Sequence, residues 1–219
     1  MAQLSVSLFA ADQLAAGRDL DILREYRIQS LHVDIMDGQF VPLLGVNQGM
    51  LERIVRDYRF ALDIHFMTAF HMDWILEFLN YRPDKMILHL ETAHEKQLSE
   101  ILQCIHDKGV KTGIAISPDT SVENLVPLLP KLNEVLVMTT YPGQKDSVYL
   151  EDSDKRISEV QRLIRSCGCD TGIAVDGGMN ETRALSAIRH GADRIIMGRA
   201  FFAANDKERM ISMIGNTCV

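Results

Sequence analysis

The chain has 219 residues, 47% hydrophobic and 24% charged, with a formal net charge of −7. That balance leaves no basic footprint for nucleic acid or an anionic membrane surface, although a local site can still hold a small anion. The length can build a sizeable core, and α/β barrels of this size fold as one unit.

Taken in order, short apolar runs recur with helix-patterned stretches between them. The opening "MAQLSVSLFAAD" lacks a basic segment followed by a long apolar run, so no signal peptide is expected, and its "QLSVSLF" reads as a first strand. "SLHVDIM", "ALDIHFM", "KMILHLE", "KTGIAIS", "EVLVMTT", "TGIAVDG" and "RIIMGRA" follow as strands two to eight. Connectors such as "EKQLSEILQCIHDKG" and "SDKRISEVQRLIRS" mix charged and apolar residues at three- and four-residue spacing, the pattern of amphipathic helices. Gly109 and Gly191 close helix-patterned stretches just before the next strand. Eight strands alternating with about eight helices predict parallel βαβ units. In this length they predict an α/β fold, a single (β/α)8 TIM barrel over residues 1–219, rather than an open doubly wound sheet.

No Pro- or Gly-rich linker divides the chain. No run approaches 18 apolar residues, so no membrane span is expected. The four cysteines, Cys104, Cys167, Cys169 and Cys218, match no zinc knuckle or redox pair, and a cytoplasmic protein is the expectation.

In such a barrel the chemistry sits at the C-terminal ends of the strands. The second strand puts His32, Asp34 and Met36 on one face, with Leu31, Val33 and Ile35 on the other for packing against helices. The third repeats the pattern with Asp63, His65 and Met67, and the seventh ends in Asp176 beside two glycines. A buried carboxylate needs a cation, a metal or water beside it. Two imidazoles and two carboxylates converging at a barrel mouth suit Zn²⁺, Mn²⁺, Fe²⁺ or Co²⁺. Two carboxylates flanking a substrate exchange protons on its opposite faces, and a metal held by a carbonyl oxygen and the neighbouring hydroxyl stabilises the enediolate between the two steps. The chemistry expected is epimerisation beside a ketone.

These residues carry a resemblance over nearly the whole chain. The sequence resembles the ribulose-phosphate 3-epimerase family, which includes hexulose-phosphate 3-epimerases. "HVDIMDGQFVP" is similar to its strand-two signature, "DIHFM" to its D-x-H-L-M, and "LHLE" to its H-x-E. "VMTTYPG" is similar to its V-M-(x)2-x-P-G and "VDGGM" to its V-D-G-G. The resemblance places His32, Asp34, His65 and Asp176 on the family's ligands for one divalent metal ion per subunit (Zn, Fe, Mn or Co), and Asp34 and Asp176 on its acid–base pair. It puts Ser7 beside the substrate and Met36, Met67 and Met138 around the reaction site, where a dry thioether lining excludes water. His89 and Glu91 become neighbours of the site. The substrate implied is a small-molecule ketose phosphate, either D-ribulose 5-phosphate/D-xylulose 5-phosphate or a hexulose 6-phosphate. A homo-oligomer, dimer or larger, is implied by the resemblance as well.

The family grips phosphate with backbone amides after strands six, seven and eight, which implicates Gly143, Gly177, Gly178 and Gly198. Arg199 stands where the family commonly has serine, and its guanidinium suits bidentate pairing with phosphate. The strand-six loop departs from the family's P-G-F-G-G-Q: residues 142–147 read "PGQKDS", which loses glycines, adds Lys145 and brings in Asp146. "VPLLGVNQ" likewise departs from V-P-N-(x)3-G. Two alternatives follow. The altered loop motivates a non-catalytic sugar-phosphate-binding barrel, and shared chemistry suggests a hexulose-phosphate synthase-type aldolase, which resembles this chain in fold but has lysine where His65 stands. His71, His94, His106 and His190 read as solvated surface, and Trp74 as helix packing or a subunit contact.

Overall fold

The eight runs form eight strands, β1 (Gln3–Ser7), β2 (Ser30–Met36), β3 (Ala61–Met67), β4 (Lys85–His89), β5 (Lys111–Ile116), β6 (Glu134–Met138), β7 (Gly172–Asp176) and β8 (Arg194–Met197). All pair in parallel in chain order, and β1 pairs with β8 to close a barrel. The structure is a computed structural model describing residues 2–144 and 148–215; Lys145, Asp146 and Cys218 lie outside the described residues. The helices are α1 (Ala16–Glu25), α2 (Gln48–Asp57), α3 (Met72–Glu77), α4 (Glu95–Asp107), α5 (Ser153–Ser166), α6 (Glu181–Arg189), α7 (Arg199–Ala203) and α8 (Lys207–Gly215). The fold is the (β/α)8 TIM barrel that the spacing predicts. None of the described helices is long and apolar enough to cross a membrane.

Period-two alternation sorts every strand into two faces. The outward residues, such as Leu31, Val33 and Ile35 of β2 and Leu62, Ile64 and Phe66 of β3, join the large core beneath the helices. Trp74 packs a helix there, edge-on to Phe66 and Phe78. Inside the barrel, Ile87, Ala115, Leu136, Met138, Ala174 and Ile196 make a second, smaller apolar cluster. Most of the remaining inward positions are polar, with Met36 and Met67 among them near the mouth, and they supply the site.

The helix boundaries follow from local chemistry. Asn47 and Asn180 accept the Met50 and Arg183 amides and so cap α2 and α6. Gly109 and Gly191 end α4 and α6 at φ +75° and +113°, a region costly to residues with a Cβ. One connection differs from the helix-per-repeat pattern: β5 and β6 are joined by 3-10 turns at Val122–Leu125 and Leu129–Lys131. Pro127 and Pro130 lie in this stretch and cannot supply the amides an α-helix needs. Among the cysteines, Cys104, Cys167 and Cys169 are free.

Candidate active site

The register of β2 and β3 pairs His32 with Asp63, Asp34 with His65 and Met36 with Met67. Because alternate residues point inward, one register brings the polar residues of both strands together near the barrel's C-terminal mouth. Asp176 joins them at the end of β7. One ligand atom from each of His32, Asp34, His65 and Asp176 lies within 4.8 Å of every other. His32 Nε2 stands 3.2 Å from Asp34 Oδ1, 3.3 Å from His65 Nδ1 and 3.9 Å from Asp176 Oδ2. His65 Nδ1 is 3.2 Å from the same Asp34 oxygen.

The hydrogen bonds behind these atoms test whether a cation fits. His32 Nδ1 donates to Asp63 Oδ2 at 2.9 Å. Glu91 Oε2 accepts from His89 Nδ1–H at 2.9 Å, which leaves His89 Nε2 to accept from His65 Nε2–H at 3.0 Å. With those protons committed, His32 Nε2, His65 Nδ1 and Asp34 Oδ1 face one another as acceptors that share a single proton on His32 when no metal is bound. Such a cluster of acceptors is unfavourable unless a cation sits among it. Ligands about 2.1 Å from a tetrahedral ion stand roughly 3.4 Å apart, close to the spacing seen here. The four side chains could hold a divalent metal ion.

Electrostatics separates the two aspartates. Burial works against ionising Asp34, but His32 and hydrogen bonds from both imidazoles hold it well below the usual carboxylate range. Burial raises Asp176, and the Asp34 charge adds to that rise against the pull of His32. Burial also opposes charge on His32, yet Asp34 and Asp63 on its two sides push it up to about 10 without a metal. His89 is driven down to about 4, chiefly by burial, and so stays neutral.

Glu91 anchors this relay. Burial opposes its ionisation, but hydrogen bonds from His89, Thr120 and the Ser117 amide bring it down to about 2. A depressed carboxylate stabilises the fold above its unfolded pKa near 4.5, and loses that contribution as pH falls towards 2. Glu91→Gln is therefore expected to cost about 1–2 kcal/mol at pH 7, a few degrees of melting temperature. The gap from wild type should narrow steadily as melting curves are taken from pH 5 down towards pH 2. An unchanged gap would remove Glu91's charge from the account.

Above the cluster lies a cavity of about 370 Å³. Asp34 and Asp176 face it, together with Ser7, Met36, Met67, Met138, Gly143, Gly177, Gly178, Gly198 and Arg199, while His32 and His65 are fully buried. Ser7 Oγ donates to Asp34 Oδ2 at 2.9 Å. Gly177 sits at φ +115°, and a Cβ there would drive into Thr140, so the turn after β7 requires glycine. Gly45 is required for another reason: its amide bonds Met36 O, and a Cβ would press on the β2 backbone at Asp34. The divergent "VPLLGVNQ" thus still folds back over the reacting strand.

Some lining residues escape the sequence reading. Arg183 reaches the cavity from the first turn of α6, donates from Nη1 to Gly178 O and lays its guanidinium 4.5 Å over the Tyr149 ring. Its signal is a basic residue three positions after the capping Asn180. Tyr141, Gln144 and Asn180 also line the mouth. His71, His94 and His106 are exposed, and His190 is half-buried on Ser186 O.

Four of the matches with known proteins bear on the family and the fold. The family model described as "Ribulose-phosphate 3 epimerase family" matches residues 3–202. A Chlamydia trachomatis protein named ribulose-phosphate 3-epimerase is 30% identical over 214 residues, 95% of this chain and 91% of the relative. A Bacillus subtilis protein of that name is 29% identical and covers 98% of each. Among solved structures, the fold is similar to 3-keto-L-gulonate-6-phosphate decarboxylase from Vibrio cholerae, with TM-score 0.72, 10% identity and 98% and 95% of the two chains covered.

Proposed function

We propose a reaction from one premise: the chain belongs to the ribulose-phosphate 3-epimerase family. It is a carbohydrate epimerase, in the isomerase class. The substrate is a ketose phosphate, D-ribulose 5-phosphate or a hexulose 6-phosphate, and the reaction inverts carbon 3. The observation that carries this reading is the convergence of Asp34 from β2 and Asp176 from β7 on one cavity, within one four-donor cluster.

One aspartate removes the proton at carbon 3 and the other returns a proton on the opposite face, with the direction of reaction deciding which acts first. Ser7 orients Asp34 through its hydroxyl. Met36, Met67 and Met138 keep water from the reacting carbon. His32, Asp34, His65 and Asp176 hold one divalent ion (Zn, Fe, Mn or Co), which when bound supplies positive charge to the oxygens beside the reacting carbon. The amides near Gly143, Gly177, Gly178 and Gly198 receive the phosphate, with Arg199 and Arg183 adding charge at the same end of the cavity. By likeness to the family the protein works as a homo-oligomer, and cysteines that match no disulfide or zinc pattern favour the cytoplasm.

The test is NMR of metal-loaded protein with D-ribulose 5-phosphate and D-allulose 6-phosphate in deuterated water. A new epimer with deuterium at carbon 3 is expected for one of them. No deuterium in either, with the metal bound, would favour a binding barrel instead. Arg199→Ala is expected to raise KM for the phosphorylated sugar about tenfold with kcat within about twofold, since one charge-assisted contact is worth about 1.5–3 kcal/mol. Steady-state kinetics decides, and an unchanged KM would place Arg199 outside the phosphate's reach.

A further inference from the structure

The floor of the barrel is charged. Arg194, Glu134 and Lys85 open β8, β6 and β4, and Asp63 stands inside β3, next to β4. Arg194, Glu134 and Asp63 are only 3%, 5% and 3% exposed. Arg194 grips Glu134 with two nitrogens, Nε to Oε2 at 2.9 Å and Nη2 to Oε1, while Lys85 Nζ reaches that Oε2 at 2.6 Å. Two cations balance two carboxylates.

The last guanidinium nitrogen, Nη1, donates to Asp63 Oδ2. That oxygen is the one that accepts from His32 Nδ1. Asp63 Oδ1, equally buried, has no hydrogen-bond partner among the described residues. If Arg194 only neutralised Asp63, the fork would take both oxygens, as it does with Glu134. Both donors instead converge on Oδ2, at the cost of an unsatisfied buried acceptor. Apolar side chains filling this floor would be about as stable as four buried charges. They could not hold a carboxylate at a fixed angle beneath an imidazole.

We propose that Arg194 is a positioning residue for the epimerase site. It pins Asp63 Oδ2, which locks the His32 ring with Nδ1–H pointing to the floor and Nε2 turned to Asp34 and Asp176. The relay crosses from β8 to β3, 131 residues away in sequence, and on to β2. It rests on the reading of His32 as a metal ligand.

Two variants test it. Arg194→Met removes the guanidinium alone, and the pair R194M/E134L removes it together with its bidentate partner, leaving Lys85 and Asp63 in balance if the single variant fails to fold. Each is titrated calorimetrically with Co²⁺ and its visible spectrum recorded, and ¹⁵N-labelled metal-free protein is examined for the downfield His32 Nδ1–H resonance. The expected result is Co²⁺ affinity lowered about tenfold or more, a changed visible band, and an imidazole proton shifted or lost to exchange. A folded variant with affinity within twofold of wild type and an unmoved imidazole proton overturns the proposal while leaving the metal site standing. If the wild type takes no Co²⁺, the reading of His32 as a ligand falls, and an unmoved imidazole proton then overturns the Arg194 relay separately.

Discussion

Asp176→Asn is expected to lower turnover by about a thousandfold while leaving the barrel folded. The substitution keeps the size of the side chain and removes its capacity to exchange a proton, a contribution worth about 10²–10⁴ in rate. Asp176 ends β7, its backbone carbonyl accepts from both the amide and the hydroxyl of Thr139, and its side chain is partly exposed to the cavity. The backbone bonds survive the change, so circular dichroism and melting temperature should stay near wild type. Asp34→Asn should be as damaging to turnover, because epimerisation needs a proton exchanged on each face. The two variants differ in what survives. Where the remaining aspartate is the base for the sugar supplied, solvent deuterium still enters carbon 3 slowly without inversion. A turnover within tenfold of wild type for either variant would sink the two-aspartate mechanism.

Stripping the metal should be comparably severe. Chelation with dipicolinate is expected to lower activity by about a thousandfold, and one equivalent of Zn²⁺, Mn²⁺, Fe²⁺ or Co²⁺ per chain should restore it. Charge stabilisation at the reacting oxygens is worth several kcal/mol, and each 1.4 kcal/mol is about tenfold in rate. The cluster also sets a pH dependence. In the metal-free protein His32 is pushed up to about 10 by Asp34 and Asp63, against its burial. It is therefore protonated at neutral pH, and an incoming cation must displace that proton. Affinity should fall as pH drops, with about one proton released per ion bound near pH 8. Calorimetry in buffers of different ionisation enthalpy counts that proton. Full activity in the chelated protein would reject a metal role for the four-donor cluster.

Much of this site is written in local pattern. His32, Asp34 and Met36 alternate along β2, and Asp63, His65 and Met67 along β3, so a period of two by itself puts each trio on one face. The eight apolar runs are separated by amphipathic stretches, which is sufficient to predict parallel strands and hence a barrel. Asp176 beside Gly177 and Gly178 is likewise visible, because the turn after β7 needs residues without a Cβ against Thr140. The β5–β6 connection is where repeat logic misleads. Regular spacing predicts a helix there, and Pro127 and Pro130 override it.

The strands, their inward faces and the donor set are legible in the chain alone, since each depends on spacing within a few residues. What supports that set emerges only on folding. Arg194 lies 131 residues from Asp63 and 60 from Glu134, and no local pattern relates them. In sequence, Arg194 is a single cation opening an otherwise apolar strand, and Glu134 a single acid opening another. Barrel closure makes them neighbours, because pairing β8 with β1 sets the stagger that places first residues of separate strands together. Arg183 became a cavity residue in the same way, when the turn after β7 aimed the start of α6 across the mouth. Short-range chemistry is carried by the period of the backbone, whereas convergence across the barrel exists only once the sheet has closed.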